Sequence, residues 1–279
     1  MSRRAELRGR ARAGDADAMF ELAEEYDFEP PRDRRRAAHW YREAAILGHA
    51  EAQNAFGECL REGSGVPADR NEAVNWFRKA AAQEEPNAQV SLGYSFFYGK
   101  GCRKNQKKAL HWYERADAND HPSASLNLGH MYRNGHGVDQ DWEKAIAYYR
   151  RSAELESTTA MHWLGRIYNG HEDYPEDSAE AVKWLALAAE NGDAQSQCDL
   201  GVRYINGEGV AEDEERGASL YRMSAEQGES WAAYLLGLCY RDGLGVKKNR
   251  RIAEHWLSKA ASEGEEKAEA ALRELRSRE

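Results

Sequence analysis

Residues 121–156 read HPSASLNLGHMYRNGHGVDQDWEKAIAYYRRSAELE, and this stretch decides the fold. From Ser123 to Arg133, the residues Ala124, Leu126, Leu128, Met131 and Tyr132 fall largely on one side of a helix. Asn134-Gly135-His136-Gly137 then stops that helix, because glycine takes the left-handed cap conformation without a Cβ penalty. Asp141 stands where a side chain can cap a second helix, which the pattern of Ala145, Ile146, Tyr149 and Ala153 carries from Trp142 to Glu154. No run alternates with a period of two for long enough to make a strand. A helix pair of this size cannot bury its apolar face alone, so it must stack on neighbours of its own kind.

Those neighbours are in the sequence. Gly57, Gly93, Gly129, Gly165, Gly201 and Gly237 are each 36 residues apart. A large side chain keeps the same phase at Trp40, Trp76, Trp112, Tyr148, Trp184, Leu220 and Trp256, and a third series is Tyr26, Leu60, Phe96, Tyr132, Tyr168, Tyr204 and Tyr240. Chance does not hold three series in one phase over such a distance. The chain therefore divides into an N-terminal cap, 1–14, and seven units at 15–48, 49–84, 85–120, 121–156, 157–192, 193–228 and 229–264. A polar capping helix, 265–279, closes the array with Leu272 and Leu275 turned inward. Glycine in a helix interior costs about 1 kcal/mol relative to alanine. Its repetition points to close approach of a neighbouring helix, with the Trp/Tyr ring of the second helix filling the adjacent space. Ala23 and Arg273 take that slot at the two ends.

Composition removes several function classes. With 48 acidic and 39 basic residues the net charge is -9, the wrong sign for a surface whose affinity comes from neutralising phosphates. Mean hydropathy is -0.87 and no stretch is apolar enough for membrane insertion. The first twenty residues are Arg-rich but contain Glu6, Asp15 and Asp17 and no apolar block, so a cytoplasmic protein is expected. Cys59, Cys102, Cys198 and Cys239 are too scattered for a disulfide scaffold or a zinc site. No strand precedes the Gly-x-Gly elements, so they do not read as phosphate loops. The nine histidines are spread along the array, and repeats spaced at helix-packing distance do not readily bring three or four ligands onto one ion, so neither a metal, a cofactor nor a catalytic residue is expected.

The unit A-x-A-x-x-x-L-G-x-x-Y-x-x-G-x-G-V, followed by D, A, W-Y-x-x-A-A and G, resembles the Sel-1-like repeat family, a relative of the tetratricopeptide repeat. Leu236-Gly237, Tyr240, Gly243, Gly245-Val246, Asn249, Ala253, Trp256-Leu257, Ala260-Ala261 and Gly264 carry it in the seventh unit. Departures are local: Pro30-Pro31 replaces the Gly-x-Gly loop in the first unit and His171–Pro175 in the fifth, while Glu84, Asp120 and Glu156 stand at the closing glycine. The resemblance implies an all-α, right-handed superhelical α/α solenoid, and a monomer that serves as adaptor or scaffold for another protein or peptide.

In the tetratricopeptide relatives the first-helix slots around the Leu-Gly pair line a concave groove. The matching positions begin with Asn54, Glu58 and Arg61; those expected to hold a partner are Tyr94, Phe97, His130, Arg133, His162, Arg166, Asn169, Tyr234 and Arg241. Charge along the loops suggests a second surface. The fifth and sixth units form an acidic edge, Glu172, Asp173, Glu176, Asp177, Glu212, Asp213, Glu214 and Glu215, between basic loops in the third and seventh. Such an edge suits an inhibitor or immunity-type binder of a partner enzyme; an enzyme with a pocket in the groove is the remaining alternative.

Overall fold

The computed structural model describes residues 3–170 and 174–277. Among them are sixteen α-helices and no strand. After α1 (Arg3–Arg12), the first helices of the repeats are α2 (Ala16–Asp27), α4 (Ala50–Glu62), α6 (Pro86–Tyr98), α8 (Pro122–Asn134), α10 (Thr158–Tyr168), α12 (Ala194–Asn206) and α14 (Ser230–Asp242). Their partners are α3 (Arg34–Ile46), α5 (Arg70–Ala81), α7 (Gln106–Asp117), α9 (Trp142–Glu154), α11 (Ser178–Glu190), α13 (Glu214–Glu226) and α15 (Arg250–Ser262), and α16 (Glu266–Ser277) closes the chain. The molecule is an all-α repeat solenoid whose contacts fall into two units, Met1–Leu155 and Glu156–Glu279. In each unit the two helices of a repeat pack together and the second packs on the first helix of the next repeat.

Every second helix starts the same way. Asp33, Asp69, Asn105, Asp141, Asp177, Asp213 and Asn249 accept hydrogen bonds from backbone N–H groups of the first turn, which would otherwise lack partners. Their own backbone N–H groups donate to the carbonyls of Tyr26, Leu60, Phe96, Tyr132, Tyr168, Tyr204 and Tyr240, at 2.7–3.0 Å. One residue thus caps a helix and ties it to the end of the preceding one. This tie survives in the first repeat, whose connecting loop contains Pro30-Pro31 instead of two glycines.

The glycine series has a cause different in detail from the one expected. A Cβ on Gly57, Gly93, Gly129, Gly165, Gly201 or Gly237 would lie 2.5–2.8 Å from Phe77, Tyr113, Tyr149, Leu185, Tyr221 or Leu257 respectively. The approaching side chain belongs to the same repeat, and it is the residue after the Trp/Tyr slot, not that slot itself. Trp76, Trp112 and Trp256 pack only partly buried at the margin of the core. Arg273 is exposed in α16, which has no second helix to receive.

The two glycines of each Gly-x-Gly loop divide the labour. Gly63, Gly99, Gly135, Gly207 and Gly243 are left-handed C-caps of first helices. The second glycine faces the preceding repeat: a Cβ on Gly101 would stand 2.0 Å from the carbonyl oxygen of Arg70, the first residue of α5. Gly65, Gly209 and Gly245 meet the first turns of α3, α11 and α13 in the same way. At the closing position, where other repeats have glycine, Glu84, Asp120 and Glu156 take φ of 63°, 53° and 64°. Glu84 pairs with Arg115 and Asp120 with Arg151 of the next second helix, which offsets the backbone cost.

Candidate functional site

The first helices of successive repeats approach one another, α4 with α6 in the first unit, and α10 with α12 and α14 with α16 in the second. The sides they leave open are where a partner could lie, and there the expected residues divide into three groups.

In the first unit, Tyr94, Phe97 and Tyr98 share one face of α6 because they are three and four residues apart. The Tyr94 and Tyr98 ring centroids are 4.6 Å apart, and Phe97 lies 4.9 Å from Tyr98 and 5.3 Å from His136. Lys100 Nζ donates to the Tyr94 hydroxyl at 2.7 Å, and the Arg61 guanidinium lies 5.6 Å from the centre of the Tyr94 ring. Phe97, Tyr98, His130, Arg133 and His136 line a cavity of about 220 Å³. His130 Nδ1 lies 2.7 Å from the Tyr149 hydroxyl, and burial, helped by Arg133, pushes its pKa down to about 4. The imidazole is therefore neutral at pH 7. The sequence had given Tyr94, Phe97, His130 and Arg133; it missed Tyr98 and His136. The i+4 spacing of Tyr98 from Tyr94 was the available signal for the first, whereas His136 arrives through the loop path.

In the second unit the expected residues separate. His162 Nδ1 lies 2.9 Å from Ser196 Oγ and 3.3 Å from Asp193 Oδ1. These are the residue types of a hydrolytic triad, but the geometry is wrong. Serine and aspartate address the same ring nitrogen, where catalysis requires one on each, and Ser196 is fully buried. Asp193 is the N-cap of α12; burial opposes its charge, but hydrogen bonds from His162 and Ser196 hold its pKa at about 2. Arg166 lies over the Trp163 ring at 5.0 Å. Asn169 terminates α10 through its backbone. Tyr234 lies tilted against Trp231 with ring centroids 5.1 Å apart, and Arg241 is held by both carboxylate oxygens of Asp242 at 2.9 and 2.7 Å, with Glu274 of α16 at 3.8 Å.

Of the acidic edge, Glu172 and Asp173 lie outside the described residues. Asp177 and Asp213 are occupied as helix caps, and Glu214 accepts from the Gly245 N–H. Glu176 accepts from Ser178, and Glu176, Asp177, Glu212, Asp213 and Glu215 are all exposed, with Glu212 and Glu215 serving neither as caps nor as acceptors of these bonds. A larger cavity, about 460 Å³, lies elsewhere, between α2, α4 and the start of α6. Its lining includes Asn54 and Glu58 from the matched slots, but Glu24, Asp27 and Glu51, which give it its charge, sit at positions that no repeat pattern singles out.

Among the described residues no three His, Cys, Asp or Glu side chains gather closely enough to hold a metal ion. Burial pushes the free thiols of Cys59 and Cys198 up to about 12 and that of Cys239 to about 11, so they stay protonated. No helix among the described residues is long and apolar enough to cross a membrane.

The Sel1 repeat model matches residues 16–49, 50–84, 86–120, 122–157, 158–193, 194–229 and 232–265. The chain belongs to the Sel1 repeat family. Among solved structures, it is 30% identical to c5321, a protective antigen of uropathogenic Escherichia coli strains with the same repeat fold. That match has a TM-score of 0.88 and covers 99% of this chain and 59% of that one. The chain thus spans less than two thirds of that antigen. A Sel1 repeat protein from Oxalobacter formigenes is 28% identical with a TM-score of 0.74, over 93% of this chain and 99% of the other. The immunity protein PA5088 from Pseudomonas aeruginosa, at 19% identity and a TM-score of 0.52 over 76% and 80% of the two chains, shares the fold alone. No curated protein matches the chain. Sel1 repeats are in general protein-interaction modules.

Proposed function

We propose that this Sel1 repeat chain is a non-catalytic binding module that seats a segment or surface of another protein on the open side of its first helices, as an adaptor or scaffold. The observation that carries the reading is the aromatic and basic group around the 220 Å³ cavity of the first unit. Tyr98 keeps 56% of its surface in water there, beside Tyr94, Phe97, His136 and Arg133. Large aromatics with arginine are the side chains that dominate binding energy at protein interfaces. In the second unit, taken by itself, His162, Arg166, Tyr234 and Arg241 are the candidate contacts. The acidic positions Glu212 and Glu215 support a separate contact for a basic partner.

The test is capture of partners from native extract, comparing wild type with the Tyr94→Ala, Arg133→Ala, Arg166→Ala variant once circular dichroism shows that both are equally helical. A partner retained by wild type and lost by the variant is the expected result. The same partners on both proteins would overturn the first-helix assignment.

A further inference from the structure

We infer that the cavity between α2, α4 and α6 receives an arginine side chain presented by an exposed segment of a partner protein. This rests on the protein-binding reading and names the chemistry of one contact within it. The cavity holds about 460 Å³, within the span of pockets that enclose small ligands. Phe20, Phe28 and Tyr41 supply aromatic wall, and Glu24, Asp27 and Glu51 supply charge. Phe28 is 60% exposed. The remaining carboxylates of the lining are already engaged. Arg61 pairs with Glu58 and Glu62, and Glu85 caps α6 through the N–H groups of Asn87 and Ala88. Glu24, Asp27 and Glu51 form no ion pair among the described residues. Burial first, then the neighbouring Glu51 and Glu21, raise the Glu24 pKa against the opposing pull of Arg3 and His49.

Three features select a guanidinium over other cations. No three of the carboxylates gather around one point, so a compact metal ion cannot bridge them. The aromatic wall favours a planar cation that can lie against a ring. The side-chain oxygen of Asn54, which also lines the cavity, is buried without a hydrogen-bond partner and calls for a donor. A guanidinium carries five donors in a fixed fork and can address separated acceptors together, whereas an ammonium is a point charge.

The full chain, ¹⁵N-labelled, is titrated with acetyl-Gly-Arg-Gly-Arg-Gly-amide, with the Lys and Gln versions of that peptide, with free L-arginine and with calcium chloride. Saturable shifts of the Ala55 and Glu58 amides and the Asn54 side-chain amide are expected with the Arg peptide. The Glu24→Gln/Glu51→Gln variant should weaken binding by about tenfold. Glu190→Gln/Glu226→Gln, which removes the same charge from exposed sites on α11 and α13, should leave it unchanged. Equal weakening by both variants would show general charge attraction and overturn the inference. So would equal binding of the Lys peptide, tighter binding of free arginine or calcium, or no shift at Asn54. If the Glu24→Gln/Glu51→Gln protein keeps the partners captured by wild type, the arginine pocket fails while the binding-module reading stands; absence of any captured partner defeats that reading instead.

Discussion

Replacing Gly93 with alanine sets two opposed effects against each other. Alanine is the better helix former by about 1 kcal/mol in a helix interior, so propensity alone predicts stabilisation. The added Cβ, however, would lie 2.6 Å from Cε1 and 2.7 Å from Cδ1 of Tyr113. Ordinary carbon contacts begin near about 3.5 Å. Tyr113 is 2% exposed and has no route outward, so α6 and α7 must move apart by several tenths of an ångström. Such overpacking costs about 1–3 kcal/mol, which leaves a net destabilisation of up to about 2 kcal/mol. For a chain of this size that lowers the thermal midpoint by up to about 6 °C. Gly9→Ala is the matched control, because a Cβ there meets nothing within 4 Å in α1 and should raise stability. Calorimetry of the three proteins, with hydrogen exchange to place the loss in α6 and α7, measures both signs. A Gly93→Ala protein stabilised as much as Gly9→Ala would refute the close-packing account of the whole glycine series.

Gly165→Leu should be more disruptive still, because its side chain meets Leu185 and the backbone of α11, whereas Arg273→Leu should leave the fold intact; thermal melts distinguish them. Glu156→Gly should raise stability by up to about 1 kcal/mol, since it relieves a left-handed residue. Glu84→Gly should gain less because it also breaks the pair with Arg115. His130 has a folded pKa of about 4 against 6.5 for an unperturbed imidazole, so the unfolded chain binds the extra proton first. Stability should be full above pH 6.5 and fall as pH drops towards 4, by at most about 3 kcal/mol. Urea titrations of wild type and His130→Gln at pH 7 and pH 5 test this, and an identical pH response in both would sink it.

The fold was legible because it is periodic. Every first helix must present its apolar side to a neighbour built on the same plan, so glycine, aromatic and cap slots recur in step, and Trp142–Glu154 with its Asp141 cap could be read directly. Part of the candidate site was legible for the same reason: Tyr94, Phe97, His130 and Arg133 occupy repeat slots, and stacking brings such slots together. The remainder depended on properties that are not periodic. Glu24, Asp27 and Glu51 share one cavity, though to the sequence all three are acids among 48. The sequence by itself therefore determined the repeat and its helices, because hydrophobic spacing and caps act within a few residues. The tertiary structure alone decided which ring fills the space beside each glycine, which carboxylates stay uncompensated and which aromatic side chains remain in water. Those outcomes depend on distances between residues from different helices, and no local pattern encodes them.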